Sequence, residues 1–528
     1  MSLTGEHIIG GHYSKQGSNR FQAVNPESGK KLPTEFCEAT REEIEEAIQQ
    51  AEVAFQHYRQ VPGKMRADFL ETIGEEIMAL GKELISQCMQ ETGLPEGRLM
   101  GERTRTVNQL KMFATLLREG SWLDARIDTA IPDREPLPKP DIRQMQIALG
   151  PVGIFGASNF PFAFSVAGGD TASALAAGCS IVVKGHPSHP GTSELVGRAI
   201  KKAVKSCGLP KGVFSLLQGH SPFVGMSMVS HPLIKAIGFT GSFKGGKALF
   251  DAAAQRKEPI PVYAEMGSTN PVFVLPGALK QRNQQIAEGL VNSVNLGVGQ
   301  FCTNPGVVMT MKSEESKAFH QKTGELMQAV ESGPMLSDKI RQGYMNGVEK
   351  FSKSKGVAVL GKSKSASVAA ASEGYVFHTD ARTYLSRPEL HEEVFGPATL
   401  HVEASNREEL LKIAVNLEGH LTATLQATEE DLQNYSDLIE ILERKVGRLI
   451  INGFPTGVEV CHSMVHGGPF PATTDSRTTS VGTGAIQRFT RPVCYQGFPQ
   501  FALPEELKDA NPHGIWRLVN GERTKSAI

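Results

Sequence analysis

SIVVK at 180–184, ELVGRAIKKAVKSCG at 194–208 and VFSLLQG at 213–219 follow one another closely in the chain. The outer two are short apolar runs of strand type. The middle one reads as a helix. Strand, helix, strand is the repeating unit of a parallel sheet, because parallel neighbours need a crossover connection. The rhythm continues outward through GIFG (153–156), IKAIGFTG (234–241) and PVFVL (271–275), each of which reads as a strand. This pattern predicts an α/β fold with a doubly wound parallel sheet, which takes ligands beyond the carboxyl ends of its strands.

After about Gly277 a second, similar α/β region begins. It includes a helix around QRNQQIAEGLVNSVNLG and a late helix, TEEDLQNYSDLIEILERK. Before the first sheet, Thr40 and Glu43 form a capping box, and Ile44, Ala47, Ala51 and Ala54 recur at helical spacing. More helix follows through MRADFLETIGEEIMALGKELISQC and again from Glu102 to Arg118. The stretch from Arg126 to about Ile147 is rich in proline and then alternates, which predicts an extended arm. The last 40 or so residues read as irregular, with many Pro and Gly.

Bulk properties narrow the function. The 528 residues are 40% hydrophobic and 21% charged, an ordinary globular composition. The formal net charge is -1 with no long block of one sign, which disfavours nucleic-acid and anionic-membrane binding. Seven cysteines, at 37, 88, 179, 207, 302, 461 and 494, include no CxxC pair. Neither a disulfide framework nor a zinc site is indicated, and no metal is expected. MSLTGEHIIGGHYS lacks a signal-peptide pattern, and no run approaches the roughly 18 apolar residues of a membrane helix. The expectation is a cytoplasmic enzyme.

Cys302 sits in GQFCTNPG (299–306), among glycines, a proline and small polar residues. A packing cysteine favours an apolar run. A nucleophilic one needs access and a polar setting. Cys88, Cys179 and Cys207 fit the first description. Other lures are weaker. GPVGIFG lacks GxGxxG spacing, and GSFKGGKA (241–248) has Ala248 where a P-loop needs Ser or Thr. A Gly-rich turn presenting a helix N-terminus to a dinucleotide fits it better. His186 and His189, in KGHPSHP, and Cys461–His462 read as loop features.

Five segments taken together carry more: SNFPFAF (158–164), FTGSFKGG (239–246), YAEMGSTNP (263–271), GQFCTNPG and EEVFGP (392–397). In this order they resemble the aldehyde dehydrogenase superfamily over nearly the whole chain. The resemblance implies two doubly wound α/β domains plus a small β oligomerisation arm. It places a cofactor-binding domain at 1–125 and 148–268 and a catalytic domain at 269–486. The arm and C-terminal tail would be 126–147 and 487–528, and a homodimer or homotetramer follows.

The resemblance also implies roles. Cys302 would attack the aldehyde as a thiolate, giving a thiohemiacetal. Asn159 and the Cys302 backbone N–H would stabilise the oxyanion. Glu265 would activate water to hydrolyse the thioester. Lys184 matches the lysine on the adenosine ribose, Glu393 the glutamate on the nicotinamide ribose, and Phe395 the aromatic near the nicotinamide. Gly241 and Ser242 would lie near the pyrophosphate. Where family members have K-P-S-E, this chain has Lys184-Gly-His-Pro187. The acid that disfavours a 2′-phosphate is missing and His186 stands nearby, so NADP is expected as the preferred cofactor with NAD as a second acceptor.

KGHPSHPGT, HSMVHGGPFPATTDSRTTSVG and RPVCYQGFP depart from the common pattern. They are similar to the branch that oxidises alpha-ketoglutarate semialdehyde (2,5-dioxopentanoate) to 2-oxoglutarate, as in pentose, hexarate or hydroxyproline catabolism. The NADP-dependent fatty-aldehyde enzymes of luminous bacteria look similar in the same segments. A carboxylate-bearing substrate needs a cation. Arg105, with Gln109 one turn on, is the candidate, and Phe160 is a further substrate-site candidate. Alternatives are a medium- or long-chain aldehyde oxidiser, a thiol acyltransferase using coenzyme A, and a non-catalytic scaffold. The set Cys302, Glu265 and Asn159 argues against the last two.

Overall fold

Strand order in the first sheet creates the crevice that the sequence pattern predicts. The computed structural model describes residues 2–528. Seven strands run Val262–Glu265, Ala236–Thr240, Val152–Phe155, Ile181–Lys184, Phe214–Leu217, His7–Ile9 and His12–Ser14. The first five are parallel and the last two antiparallel. Val152–Phe155 is the earliest parallel strand. The chain winds from it first to one side and later to the other. Loops therefore part at its carboxyl end, which leads into Asn159. The central strands are buried on both faces and read as continuous apolar runs for that reason.

The second sheet has the order Ala358–Lys362, Tyr375–Asp380, Ala398–Ala404, Val307–Met311, Val272–Val274, His420–Gln426 and Val446–Ile451. All neighbours are parallel except the first pair. Only residues 266–271 connect Glu265, at the end of a first-sheet strand, to Val272, at the start of a second-sheet strand. The carboxyl edge of one sheet thus meets the amino edge of the other. The parallel α/β reading holds for both sheets.

Three details differ from the sequence reading. PVFVL, read with the first sheet, supplies the strand Val272–Val274 of the second, whose chain therefore begins before Gly277. The late helix is two helices, Glu429–Asn434 and Ser436–Glu443, because Tyr435 leaves helical geometry at φ -119°, ψ 32°. The C-terminal segment is less irregular than expected. Thr490–Gln496, Arg517–Val519 and Glu522–Thr524 join Ile142–Ala148 and Arg126–Asp128 in a five-stranded sheet. Short strands and a proline inside one of them, Pro492, hide this pairing from periodicity. The Thr40–Glu43 capping box forms as read, on the helix Arg41–Tyr58.

One buried carboxylate fixes a helix to this frame. Glu91 is fully buried and accepts from the Gly191 and Thr192 N–H groups at 2.7 and 2.8 Å and from the Thr192 hydroxyl at 2.7 Å. It thereby caps the helix Pro190–Ser206, which has no capping side chain of its own. Burial pushes its pKa up to about 7 against these hydrogen bonds. Glu91→Ala leaves two buried N–H groups without an acceptor, a loss of about 3 kcal/mol. The melting temperature should fall by about 5 °C, with Glu91→Gln in between. An unchanged melting temperature for Glu91→Ala would reject this role.

Candidate active site

Hydrogen bonds between the motif segments build the junction of the two sheets. Asn270 adopts the left-handed conformation at φ 47°, which asparagine tolerates better than most residues. Its amide donates to the carbonyls of Cys302 and Asn304, both at 2.9 Å. Its Oδ1 accepts from Ser268 and Thr422, both at 3.0 Å. Asn304 Nδ2 donates to Gly396 O at 3.1 Å. Gly299 sits at φ 65°, where a Cβ would overlap the Gly396 carbonyl. Asn159 Nδ2 donates to Gln300 O at 3.1 Å, and Gln300 Oε1 accepts from Leu336 N at 2.9 Å. The loop that carries Cys302 is therefore tied to SNFPFAF, YAEMGSTNP and EEVFGP at once.

The thiol does not stand alone. Cys302 Sγ lies 3.5 Å from His466 Nε2, and that nitrogen lies 2.9 Å from Glu265 Oε1. Oε1 has no well-aligned donor, so the second contact is an electrostatic approach rather than a linear hydrogen bond. Ser480 Oγ donates to Glu265 Oε2 at 2.8 Å. His466 is held by its own N–H, which donates to Thr479 Oγ1 at 2.9 Å. Burial pushes the Cys302 thiol well above its ordinary value, and the Glu265 charge adds to this. Burial also pushes Glu265 up, but His466 and the Ser480 hydroxyl outweigh it and hold the carboxyl below its usual range. The resting site is thus a neutral thiol beside an ionised carboxylate. A proton leaving Sγ has the imidazole as a near acceptor, and the carboxylate stabilises the imidazolium so formed.

Sequence reasoning missed His466. It lies in HSMVHGGPF, a segment read only as a departure from pattern. It is 164 residues from Cys302, and no local spacing marks it.

The cofactor candidates line the same junction from the other side. Lys184 ends its strand, with Nζ donating to Gly185 O at 3.1 Å, and burial lowers its pKa to about 8. The His186 ring stacks on His189 with centroids 5.4 Å apart. Ser242 caps the helix Phe243–Ala254 by accepting from Gly245 N at 3.3 Å, with Gly241 just before it. Glu393 makes no salt bridge among the described residues, and burial raises it to about 7. It packs against Gly267, where a Cβ would come within 2.5 Å of Oε2. Phe395 shares a recess with Glu393, Ser268, Thr269 and Phe301. These parts fit a nicotinamide dinucleotide: the Lys184 cation, a helix N-terminus and a partly buried carboxyl acceptor for ribose hydroxyls.

Comparison with known proteins agrees with this arrangement. Residues 13–481 match the model of the aldehyde dehydrogenase family. The chain belongs to that family. It is 49% identical over 523 residues to alpha-ketoglutaric semialdehyde dehydrogenase 2 of Azospirillum brasilense, covering 99% of this chain and 100% of that one. It is 46% identical over 526 residues to alpha-ketoglutaric semialdehyde dehydrogenase of Acinetobacter baylyi, covering 99% of each chain. The solved lactaldehyde dehydrogenase of Escherichia coli shares the fold at a TM-score of 0.81, with 21% identity over 94% of this chain and 99% of that one. The chain is an aldehyde dehydrogenase, and the family uses NAD or NADP.

In this aldehyde dehydrogenase the helix Glu96–Glu119 faces the cysteine loop with two arginines. The Arg98 guanidinium lies 5.1 Å from the Phe160 ring centroid and 5.0 Å from that of Phe301, and it donates to Asn159 O at 2.7 Å. Arg105 lies 5.6 Å from Phe160 and 5.4 Å from Phe164. Among the described residues neither arginine makes a salt bridge, and Arg105 makes no hydrogen bond. Glu102, between them on the helix, instead accepts from the N–H groups of Phe162 and Ala163 at 2.8 and 3.0 Å. Gln109 packs against Gly169 with Nε2 unpartnered, farther along the helix. Arg98 was not singled out from sequence, because a lone arginine on a helix looks like solvated surface.

A raised thiol makes a direct prediction. Iodoacetamide should alkylate Cys302 of the ligand-free enzyme about tenfold faster per pH unit from pH 7 to 9, following the thiolate fraction. A rate already level near pH 7 would contradict the raised value. His466→Asn should lower kcat about hundredfold while changing both KM values little.

Proposed function

We propose that this aldehyde dehydrogenase oxidises 2,5-dioxopentanoate to 2-oxoglutarate with NADP as the preferred cofactor. The observation that carries the substrate is the arginine pair. Two cations without salt bridges face aromatic rings beside the nucleophile candidate, and a substrate carboxylate supplies the missing anion. The relatives named for alpha-ketoglutaric semialdehyde support the same reading. The rings of Phe160, Phe164 and Phe301 would also suit an alkyl chain. They keep a medium- or long-chain aldehyde as the second reading, which gives the arginines no partner.

In our reading Cys302 loses its proton to His466, with Glu265 stabilising the imidazolium, and the thiolate adds to the aldehyde carbon. Asn159 spends one amide proton on Gln300, and the other is free to meet the oxyanion beside the Cys302 N–H. When bound, the nicotinamide supplies the hydride acceptor. The thioester left on Cys302 is then attacked by water, and the adduct breaks its C–S bond to release the acid and a Cys302 thiolate, which regains its proton from His466. Glu265, ionised at neutral pH, takes the water's proton as general base.

Local charge supports the NADP preference. Lys184 feels Lys339, from the start of the helix Asp338–Lys353, as a further positive charge, whereas burial holds His186 well below the usual imidazole range, so that ring offers a hydrogen bond and not a charge. Glu38 opposes them near Lys184, but its oxygens accept from Ser221 N and Asn19 Nδ2. Gly241 and Ser242 would meet the pyrophosphate, Glu393 the nicotinamide ribose and Phe395 the ring. We assign 1–125 and 148–268 to the cofactor domain, 269–486 to catalysis, and 126–147 with 487–528 to an oligomerisation arm. No described helix is long and apolar enough to cross a membrane, and we place the enzyme in the cytoplasm as a homodimer or homotetramer.

The first test is NADPH formation with 2,5-dioxopentanoate beside hexanal at equal concentration, where the dioxo acid should be strongly preferred. Arg98→Ala and Arg105→Ala should each raise KM for the dioxo acid by about tenfold to hundredfold, with hexanal changed less than about twofold. Equal effects on both aldehydes would reject the anchor. The ratio of kcat/KM for NADP over NAD should exceed one and fall as pH rises through about 8, as Lys184 loses its charge. Lys339→Gln should lower that ratio. A ratio below one at pH 7 would reject the preference.

A further inference from the structure

A second polar cluster lies away from the cysteine, inside the second sheet. His378 and His401 face each other on the neighbouring parallel strands Tyr375–Asp380 and Ala398–Ala404. Glu403 is two residues beyond His401 and therefore shares its face. The helix Glu314–Ala329 packs over this face and brings His320. Ring centroids of His320 lie 4.8 Å from His378 and 5.0 Å from His401. One ligand atom each from His320, His378 and Glu403 lies within 4.8 Å of the others.

Ordinary packing explains this cluster only in part: the His401 ring stacks on Phe319 with centroids 5.3 Å apart, but that contact leaves its nitrogens unmet. His401 is fully buried, and neither ring nitrogen has a hydrogen-bond partner. A buried imidazole left in that state forfeits about 1–3 kcal/mol for each unmet group. A structural histidine normally finds a carbonyl or carboxylate, as His189 does with Ala157 O at 2.8 Å. The outer parts look like the supports of a ligand set. Ser316 Oγ donates to Glu403 Oε1 at 3.0 Å, which fixes the carboxylate and leaves Oε2 free. Thr310 Oγ1 lies 3.0 Å from His320 Nε2. If the hydroxyl oxygen accepts from Nε2–H, Nδ1 keeps its lone pair for a ligand.

We propose that His320, His378 and Glu403 bind a divalent transition-metal ion of the zinc, cobalt or nickel class, with His401 lining the site. Imidazole with one carboxylate suits these ions rather than calcium or magnesium. The ligand atoms lie within 4.8 Å of one another, near enough to converge on one ion with small side-chain movements toward a tetrahedral set. His378 and Glu403 are only partly buried, which gives the ion a path and leaves room for water as a further ligand. The ion would pin one helix to two strands. Sequence spacing could not reveal this site, because the residues come from three separate elements.

The catalytic cluster of Glu265, Cys302 and His466 is the competing metal site. The test therefore titrates Co2+ into the full chain carrying Cys302→Ala, following the d–d absorption. One equivalent should bind with nitrogen and oxygen ligation. His378→Gln or Glu403→Gln, added singly, should weaken binding at least about tenfold. Binding unaffected by both changes, or none at about 100 µM Co2+, would overturn the proposal. A crystal of the unaltered chain soaked in Zn2+ needs no variant to fold. Its anomalous peak should lie between His320 and His378, and a peak only at Cys302 would reject the site.

Discussion

The side chain of Asn270 is the constraint on which the active site rests. It occupies a left-handed position in the short link between two sheets and satisfies two carbonyls of the cysteine loop. Both carbonyls lie where the carboxyl edge of one sheet meets the amino edge of the other, so no strand ladder can take them. Without this amide they would be buried acceptors lacking donors, each a loss of about 1–3 kcal/mol. Ser268 and Thr422 hold the far end of the amide, so its orientation is fixed. The geometry of Cys302 is therefore set by packing between sheets and not by its own loop.

Burial then decides the electrostatics. Glu265 and His466 are buried and Cys302 is half-buried beside them, so separate charges are penalised. One negative charge is favoured, and the carboxylate holds it because Ser480 and His466 face it. In the proposed mechanism the thiolate would form by passing its proton to the imidazole, which would convert one anion into an anion pair around a cation. Titration of such a cluster belongs to the group and not to any one residue. Glu393, partly buried and raised to about 7, opposes thiolate formation when it is ionised.

What could be read from sequence follows a physical division. The sheets were legible because buried parallel strands are continuous apolar runs such as SIVVK. Cys302 stood out by its polar, glycine-rich setting, whereas Glu265 and Asn159 entered through the resemblance of their segments to one family; the structure brings the three segments to one junction. The C-terminal strands were hidden by their brevity and by Pro492. His466, Arg98 and Lys339 were hidden for another reason. Each matters through a neighbour more than 60 residues away, and each sits in a segment whose local chemistry is bland. The histidines at 320, 378 and 401 are the extreme case, since strand pairing and helix docking alone bring them together.

The helix Glu96–Glu119 shows how the fold keeps a cationic site open. Arg98, Glu102 and Arg105 fall on one face, four and three residues apart, the spacing of helical ion pairs. Left to themselves, they would neutralise one another. Glu102 Oε1 is instead turned to the N–H groups of Phe162 and Ala163, and it makes no salt bridge with either arginine. The loop that presents Asn159 thus takes up one of the carboxylate's oxygens. The rings of Phe160, Phe164 and Phe301 then face the guanidinium groups, holding them by cation–π contact without cancelling their charge. Holding the Asn159 loop and leaving the arginines without a salt bridge are two results of one side-chain choice. A change at Glu102 should therefore disturb both.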